Sequence, residues 1–258
     1  MARGNFYIIE NRNIFRRAAD GAWSVLSFQA PNGNISGMCV GPDERFYIAH
    51  ANNARFWTQN GSNWSRTNLT RTGDLRGIAV NKSGVLYFVN TNNQVFTNAQ
   101  NEPLLSVAVP NLGNGENLKG ISVKINDGTI AICSNRKVWE LALGGTFWVE
   151  SVIPTGVLAA NNRDFSSIFY DHEGNLIVFD TNEAVNFRRK GTTWAEDGTL
   201  TTPLQIGSVT PEGVHHASAY DQGAGVRGFQ LGSDLVENLK IGSDDVAAVY
   251  LGATKIWG

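Results

Sequence analysis

Apolar and polar positions alternate along most of this chain in short runs separated by turns rich in glycine and asparagine. This is the period-two pattern of half-buried β-strands, not the 3.6-residue period of helices. The runs also repeat. Set side by side, ISGMCVGPDERFYIAHANNARF from Ile35 and LRGIAVNKSGVLYFVNTNNQVF from Leu75 align without a gap. Gly37, Val40, Tyr47, Asn52, Asn53 and Phe56 fall on Gly77, Val80, Tyr87, Asn92, Asn93 and Phe96, a shift of 40 residues. A third copy starts at Leu118 and needs one inserted residue; a fourth starts at Phe165 and repeats Gly84, Leu86, Thr91, Asn92 and Val95 as Gly174, Leu176, Thr181, Asn182 and Val185.

Each copy reads as an apolar strand, a glycine turn, a second apolar strand, an asparagine-rich turn and a shorter third strand. A last turn then ends on tryptophan: GAW at Gly21, GSNW at Gly61, GTFW at Gly145 and GTTW at Gly191. Four strands in a unit of about 40–50 residues predict a propeller blade. Residues 4–28 match only the second to fourth strands of the template. The missing first strand is found far along the chain, where GVHHASAYDQG places Tyr220 and Asp221 on Tyr170 and Asp171 of the preceding copy. The expected fold is therefore all-β: a five-bladed β-propeller closed by pairing of its N- and C-terminal strands, plus a small C-terminal β module. The blades are 213–223 with 4–28, then 34–69, 74–109, 117–152 and 164–200. The propeller spans 1–226 and the module 227–258, where three short strands are expected around Leu239, Val249 and Lys255 to Trp257.

Composition narrows the function. Twenty-one basic against 23 acidic residues leave a net charge of -2, so no summed field draws the chain to nucleic acid or anionic lipid. The opening MARGNFYIIENRN reaches the strand pattern at once, and no secretory signal peptide or membrane insertion is expected. Cys39 and Cys133 lie inside apolar runs and read as buried, reduced thiols. Five Asn-x-Ser/Thr sequences, at Asn34, Asn60, Asn63, Asn68 and Asn81, read as turn chemistry.

Catalytic signals are weak. The only histidines are His50, His172, His215 and His216; adjacent residues on a strand point to opposite faces, so the last two make a poor metal pair, and no metal or other cofactor is expected. The acids of YDHEG flank His172 in a turn position, not a cleft, and are expected to be solvated. No catalytic residue is assigned. What remains is recognition: Asn52, Asn53, Asn92, Asn93 and Asn182 put amides at equivalent rims, and Trp64 and Trp194 could offer faces to sugars. Turn formation is the stronger account of the asparagines, and packing of the tryptophans.

The glycine-to-tryptophan turns resemble half of the Asp-box hairpin of sialidase-type propellers, with the aspartate present only as Asp20. The blade count resembles five-bladed lectins of the tachylectin type, which implies several weak, equivalent glycan sites. The end of the chain, IGSDDVAAVYLGATKIWG, resembles a short C-terminal module of tailed-bacteriophage virion proteins through Val246, Val249, Tyr250, Gly252, Ile256 and Trp257. That resemblance implies a non-enzymatic tail, fibre or capsid-surface component, made in the bacterial cytoplasm and carried on the virion. Its partners would be other virion proteins or copies of itself, held through Val249, Tyr250, Ile256 and Trp257, and a host-surface glycan. A free lectin and a polysaccharide-degrading glycosidase are the competing expectations.

Overall fold

The computed structural model describes residues 6–10, 12–17, 22–33, 35–51, 54–69, 73–98, 107–157, 163–171, 173–180 and 185–196, and beyond these the strands alone. The fold is all-β. Phe6–Glu10 (β1), Asn13–Arg17 (β2) and Trp23–Gln29 (β3) run antiparallel in the first sheet. The second holds Ile35–Val40 (β4), Phe46–His50 (β5), Arg55–Asn60 (β6) and Asn63–Asn68 (β7) in chain order. Leu75–Val80 (β8), Leu86–Asn90 (β9) and Val95–Thr97 (β10) form the third. Leu118–Val123 (β11), Ile130–Ser134 (β12), Val138–Leu141 (β13) and Val149–Glu150 (β14) form the fourth. Phe165–Tyr170 (β15), Leu176–Asp180 (β16), Val185–Lys190 (β17) and Thr193–Glu196 (β18) form the fifth. The fourth strand expected in 74–109 falls near 103–108; residues 99–106 lie outside the described residues, and 107–109 are not in a strand.

Ala217–Tyr220 (β19) lies beside β1, in the sheet order β19-β1-β2-β3, with Phe6 opposite Tyr220 and Ile9 opposite Ala217. The first strands are also neighbours between sheets: β4 lies against β8, β8 against β11, β11 against β15, β15 against β19, and β19 against β4. The apolar core follows that arrangement, divided into clusters that each bridge two successive sheets. Ile9 and Ile14 meet Phe46 and Ile48; Phe56 meets Leu75 and Phe88; Val89 meets Leu118 and Ile132; Cys133 and Val138 meet Phe165 and Val178. The second strands β5, β9, β12 and β16 are thus covered on both faces, which explains why β12 and β16 read as continuous apolar runs.

The first strands share a bulge and a small residue. Register shifts fall between Ile35 and Gly37, Leu75 and Gly77, Leu118 and Gly120, and Phe165 and Ser167. Bulges of this kind bend a strand and increase its twist. A methyl group on Gly37 would stand 3.0 Å from the Cα of Gly77, and one on Gly77 would stand 3.2 Å from the Cα of Gly120. Glycine is needed here because backbones meet. The same column of the repeat reads Ser167 in β15 and Ala217 in β19, the next smallest choices.

The turns between first and second strands of the third and fifth sheets follow one design. Asn81 Oδ1 accepts the N–H groups of Ser83 and Val85, each at 2.9 Å, while Gly84 takes φ +79°. Asp171 Oδ1 accepts those of Glu173 at 2.9 Å and Asn175 at 2.8 Å, and Gly174 takes φ +78°. A side chain that folds its own turn suits Asn or Asp, and the positive φ suits Gly.

The C-terminal region differs from the three strands expected there. Six strands are described there, paired as three hairpins: Phe229–Leu231 (β20) with Asp234–Val236 (β21), Lys240–Ile241 (β22) with Asp244–Asp245 (β23), and Val249–Leu251 (β24) with Thr254–Trp257 (β25).

Candidate functional site

The asparagine-rich turns follow the second strands. Asn90, buried at the end of β9, accepts the N–H groups of Asn92 at 3.1 Å and Gln94 at 3.0 Å through Oδ1, and its Nδ2 donates to Gln94 Oε1 at 2.9 Å. The turn so formed puts Asn93 at φ +58°, from where its Oδ1 accepts the N–H of Leu118, 2.9 Å away in the next sheet. Asn93 is therefore engaged as an inter-sheet tie, and Asn92 stands exposed at the rim. His50, Ser134 and Asp180 occupy the position of Asn90 in the other sheets, and all are buried. Asn52, Asn53, Asn182, His172, His215 and His216 lie outside the described residues.

Trp64 and Trp194 both take part in packing between sheets. Trp64 Nε1 donates to the carbonyl of Gln29 at 2.8 Å, and its half-buried ring leans on Phe28 at a centroid distance of 6.3 Å. It joins the outer strand of one sheet to that of its neighbour. Trp194 is 4% exposed among Val138, Ile153 and Phe187, with the Arg189 guanidinium 5.9 Å from its ring centroid. A ring covered on both sides presents no face to a ligand.

Beside Trp194 lies a polar cluster. Arg189, on β17, reaches Glu140 on β13 through both Nη atoms; Nη2 donates to Oε1 at 2.7 Å and Nη1 also donates to Ser151 Oγ at 2.6 Å. Tyr170 donates its hydroxyl to Glu140 Oε1 at 2.5 Å. Burial alone would raise the Glu140 carboxyl. The hydrogen bonds from Arg189 and Tyr170, with the charges of Arg189 and Lys124, outweigh it and hold the group below the usual carboxylate range. Burial first, then the Glu140 charge, pushes the Tyr170 hydroxyl far above its ordinary value. A tyrosine beside a glutamate is a pair that nucleophilic catalysis can use, but Tyr170 is fully buried and holds its proton. The pair locks two sheets together. Asp171 is likewise buried, not solvated as its turn position suggested, and is paired with Arg188.

One surface departs from the repeat. Leu143, Phe147, Val149 and Val152 are 78%, 70%, 56% and 67% exposed, along the outer edge of the fourth sheet. Aligned on the tryptophans, Phe147, Val149 and Val152 stand where the second sheet has Asn63, Ser65 and Asn68. That contrast was readable from the sequence, although attention to conserved positions of the repeat hides it. In the C-terminal region, the register sets Val249 opposite Trp257 and Tyr250 opposite Lys255. Among the described residues, no three His, Cys, Asp or Glu gather as metal ligands.

No protein-family profile matches the chain, and no curated protein matches it in sequence. Solved structures do. A chain of the nidogen/laminin complex is similar over 85% of this chain and 99% of its own, at 10% identity and a TM-score of 0.54. Virginiamycin B lyase from Staphylococcus aureus is similar over 79% of this chain and 72% of its own, at 14% identity and a TM-score of 0.50. YCF48, solved with a D1 peptide, is similar over 70% of this chain at 16% identity and a TM-score of 0.50; the match spans 59% of its length. This chain likewise spans only 64% of a catalytically inactive variant of the lyase solved with quinupristin. At such identities the likeness concerns the fold: the chain is an all-β, propeller-like protein. A lyase stands among these neighbours beside proteins seen with protein or peptide partners, so the fold leaves enzymatic activity open.

Proposed function

We propose that this chain is a non-enzymatic bacteriophage virion structural protein, a tail, fibre or capsid-surface component made in the host cytoplasm. In this reading residues 1–226 form a closed five-bladed propeller displayed outward, and 227–258 attach it. The pairing of β19 with β1 and the cyclic contacts among the first strands support closure. The observation that carries the role is the separate set of hairpins after β19, whose last members hold the Val249, Tyr250, Ile256 and Trp257 pattern that resembles virion modules. Absence of catalysis is supported by the Tyr170–Glu140–Arg189 and Asp171–Arg188 groups, whose acids and bases are bound to one another between and within sheets.

Host-surface glycan binding falls to Asn92 and its repeat equivalents Asn52 and Asn182, because Asn93, the equivalent of Asn53, ties two sheets together, Trp64 bonds to Gln29 and Trp194 is buried. The test is direct. Particles purified from infected cells are digested and searched by mass spectrometry for peptides of this chain, with gold-labelled antibody locating it by electron microscopy. Stoichiometric recovery and a fixed location are expected; a chain left wholly in the lysate would overturn the reading.

A further inference from the structure

Residues 229–258 are three successive decapeptides, FQLGSDLVEN, LKIGSDDVAA and VYLGATKIWG. Aligned without gaps, the third column reads Leu231, Ile241 and Leu251, and the fourth reads Gly232, Gly242 and Gly252. The first and eighth columns are apolar throughout. The backbone repeats with the sequence. Each decapeptide supplies one hairpin, with Leu231 opposite Asp234, Ile241 opposite Asp244, and Leu251 opposite Thr254. Two residues separate the paired ends each time, and the first is glycine, which is what a type II′ connection requires.

Each hairpin forms a two-stranded sheet joined to no other strand among the described residues. A lone two-stranded hairpin is marginal in water, and its outer edges carry N–H and C=O groups that need partners. A foreign protein would have to offer three matching edges at the same spacing, whereas another copy of this chain offers them by construction. Charge agrees. The segment's sequence carries both signs, Lys240 and Lys255 with Asp234, Glu237, Asp244 and Asp245, so two copies do not bring together segments of one sign.

We propose that residues 229–258 are a three-layer self-association module, in which equivalent hairpins of two or more copies pair edge to edge around a common axis. The inference rests on reading this segment as the attachment or oligomerisation element, and it commits the partner to further copies of the chain.

Register supplies the test. Bonded and non-bonded pairs alternate along antiparallel strands. Next to a two-residue connection, Gln230 opposite Leu235, Lys240 opposite Asp245 and Tyr250 opposite Lys255 are the non-bonded pairs, with N–H groups turned toward an incoming strand. Full-length protein should sediment as a fixed multiple of 28.0 kDa. The combined variant Gln230→Pro, Lys240→Pro and Tyr250→Pro should fall to one-fold mass, while valine at the same three positions, which keeps the N–H groups, should retain the multiple. Wild-type protein at 28.0 kDa overturns the proposal whatever the variants do. So does a proline variant that keeps the wild-type mass. A monomer that still copurifies with particles would overturn self-association and leave the virion role standing, with the hairpins pairing on a different virion protein. An oligomer missing from particles would do the reverse.

Discussion

The side-chain oxygen of Asn93 accepts the backbone N–H of Leu118 across the boundary between two sheets, at 2.9 Å. Leu118 is fully buried, so removing the acceptor strands its amide away from water. Asn93→Ala should cost about 1–3 kcal/mol for the unsatisfied donor, with about 1–2 kcal/mol more from φ +58°. Asn93→Gly should cost less, because glycine accepts that φ. Urea unfolding of the two variants orders them; a loss of glycan binding at unchanged stability would assign Asn93 to ligand instead.

Gly77 and Gly61 separate two reasons for glycine. A methyl on Gly77 meets backbone of the next sheet at 3.1 Å, whereas one on Gly61, at φ +61°, meets nothing within 4 Å. Gly77→Ala should destabilise by about 1–3 kcal/mol through a clash neither sheet can relieve. Gly61→Ala should cost only the local backbone strain of about 1 kcal/mol. Thermal melts distinguish them, and equal losses would contradict the close stacking.

Glu140 makes stability depend on acid pH. Its carboxyl is held low in the fold, so its contribution is complete above the unfolded value of about 4.3 and is lost as pH falls through the lower folded value. Glu140→Gln should be less stable at neutral pH and should lose stability less steeply below about pH 4. Parallel pH curves for wild type and variant would remove Glu140 from this role.

Cys133 reports on opening of the core. Burial pushes its thiol up to about 12, against a smaller lowering from the Gly120 backbone hydrogen bond. At pH 8 an alkylating reagent should leave it unmodified in the native protein and label it on unfolding. Prompt native labelling would contradict its placement among Val138, Phe165 and Val178.

The repeat made the sheets legible because it is written in local chemistry: alternation for the strands, glycine for the turns, and Tyr220 matched to Tyr170 for the strand that lies beside β1. The site was harder to read. Arg189 and Glu140 are 49 residues apart and meet only because corresponding strands of successive sheets lie side by side. The burial of Trp194 also depends on that neighbour, through Val138 and Ile153. The six-stranded tail escaped the three-strand expectation because its short repeat is drowned by the longer one when a single template is slid along the chain.

The pairing of β19 with β1 also sets an order of events. At about 5–20 residues per second, a ribosome that has finished β1 must continue for on the order of ten seconds or longer before Ala217–Tyr220 leaves it. The first sheet made is therefore finished only after the four sheets that follow it, and for that interval the open side of Phe6–Glu10 is exposed to strands of other nascent chains.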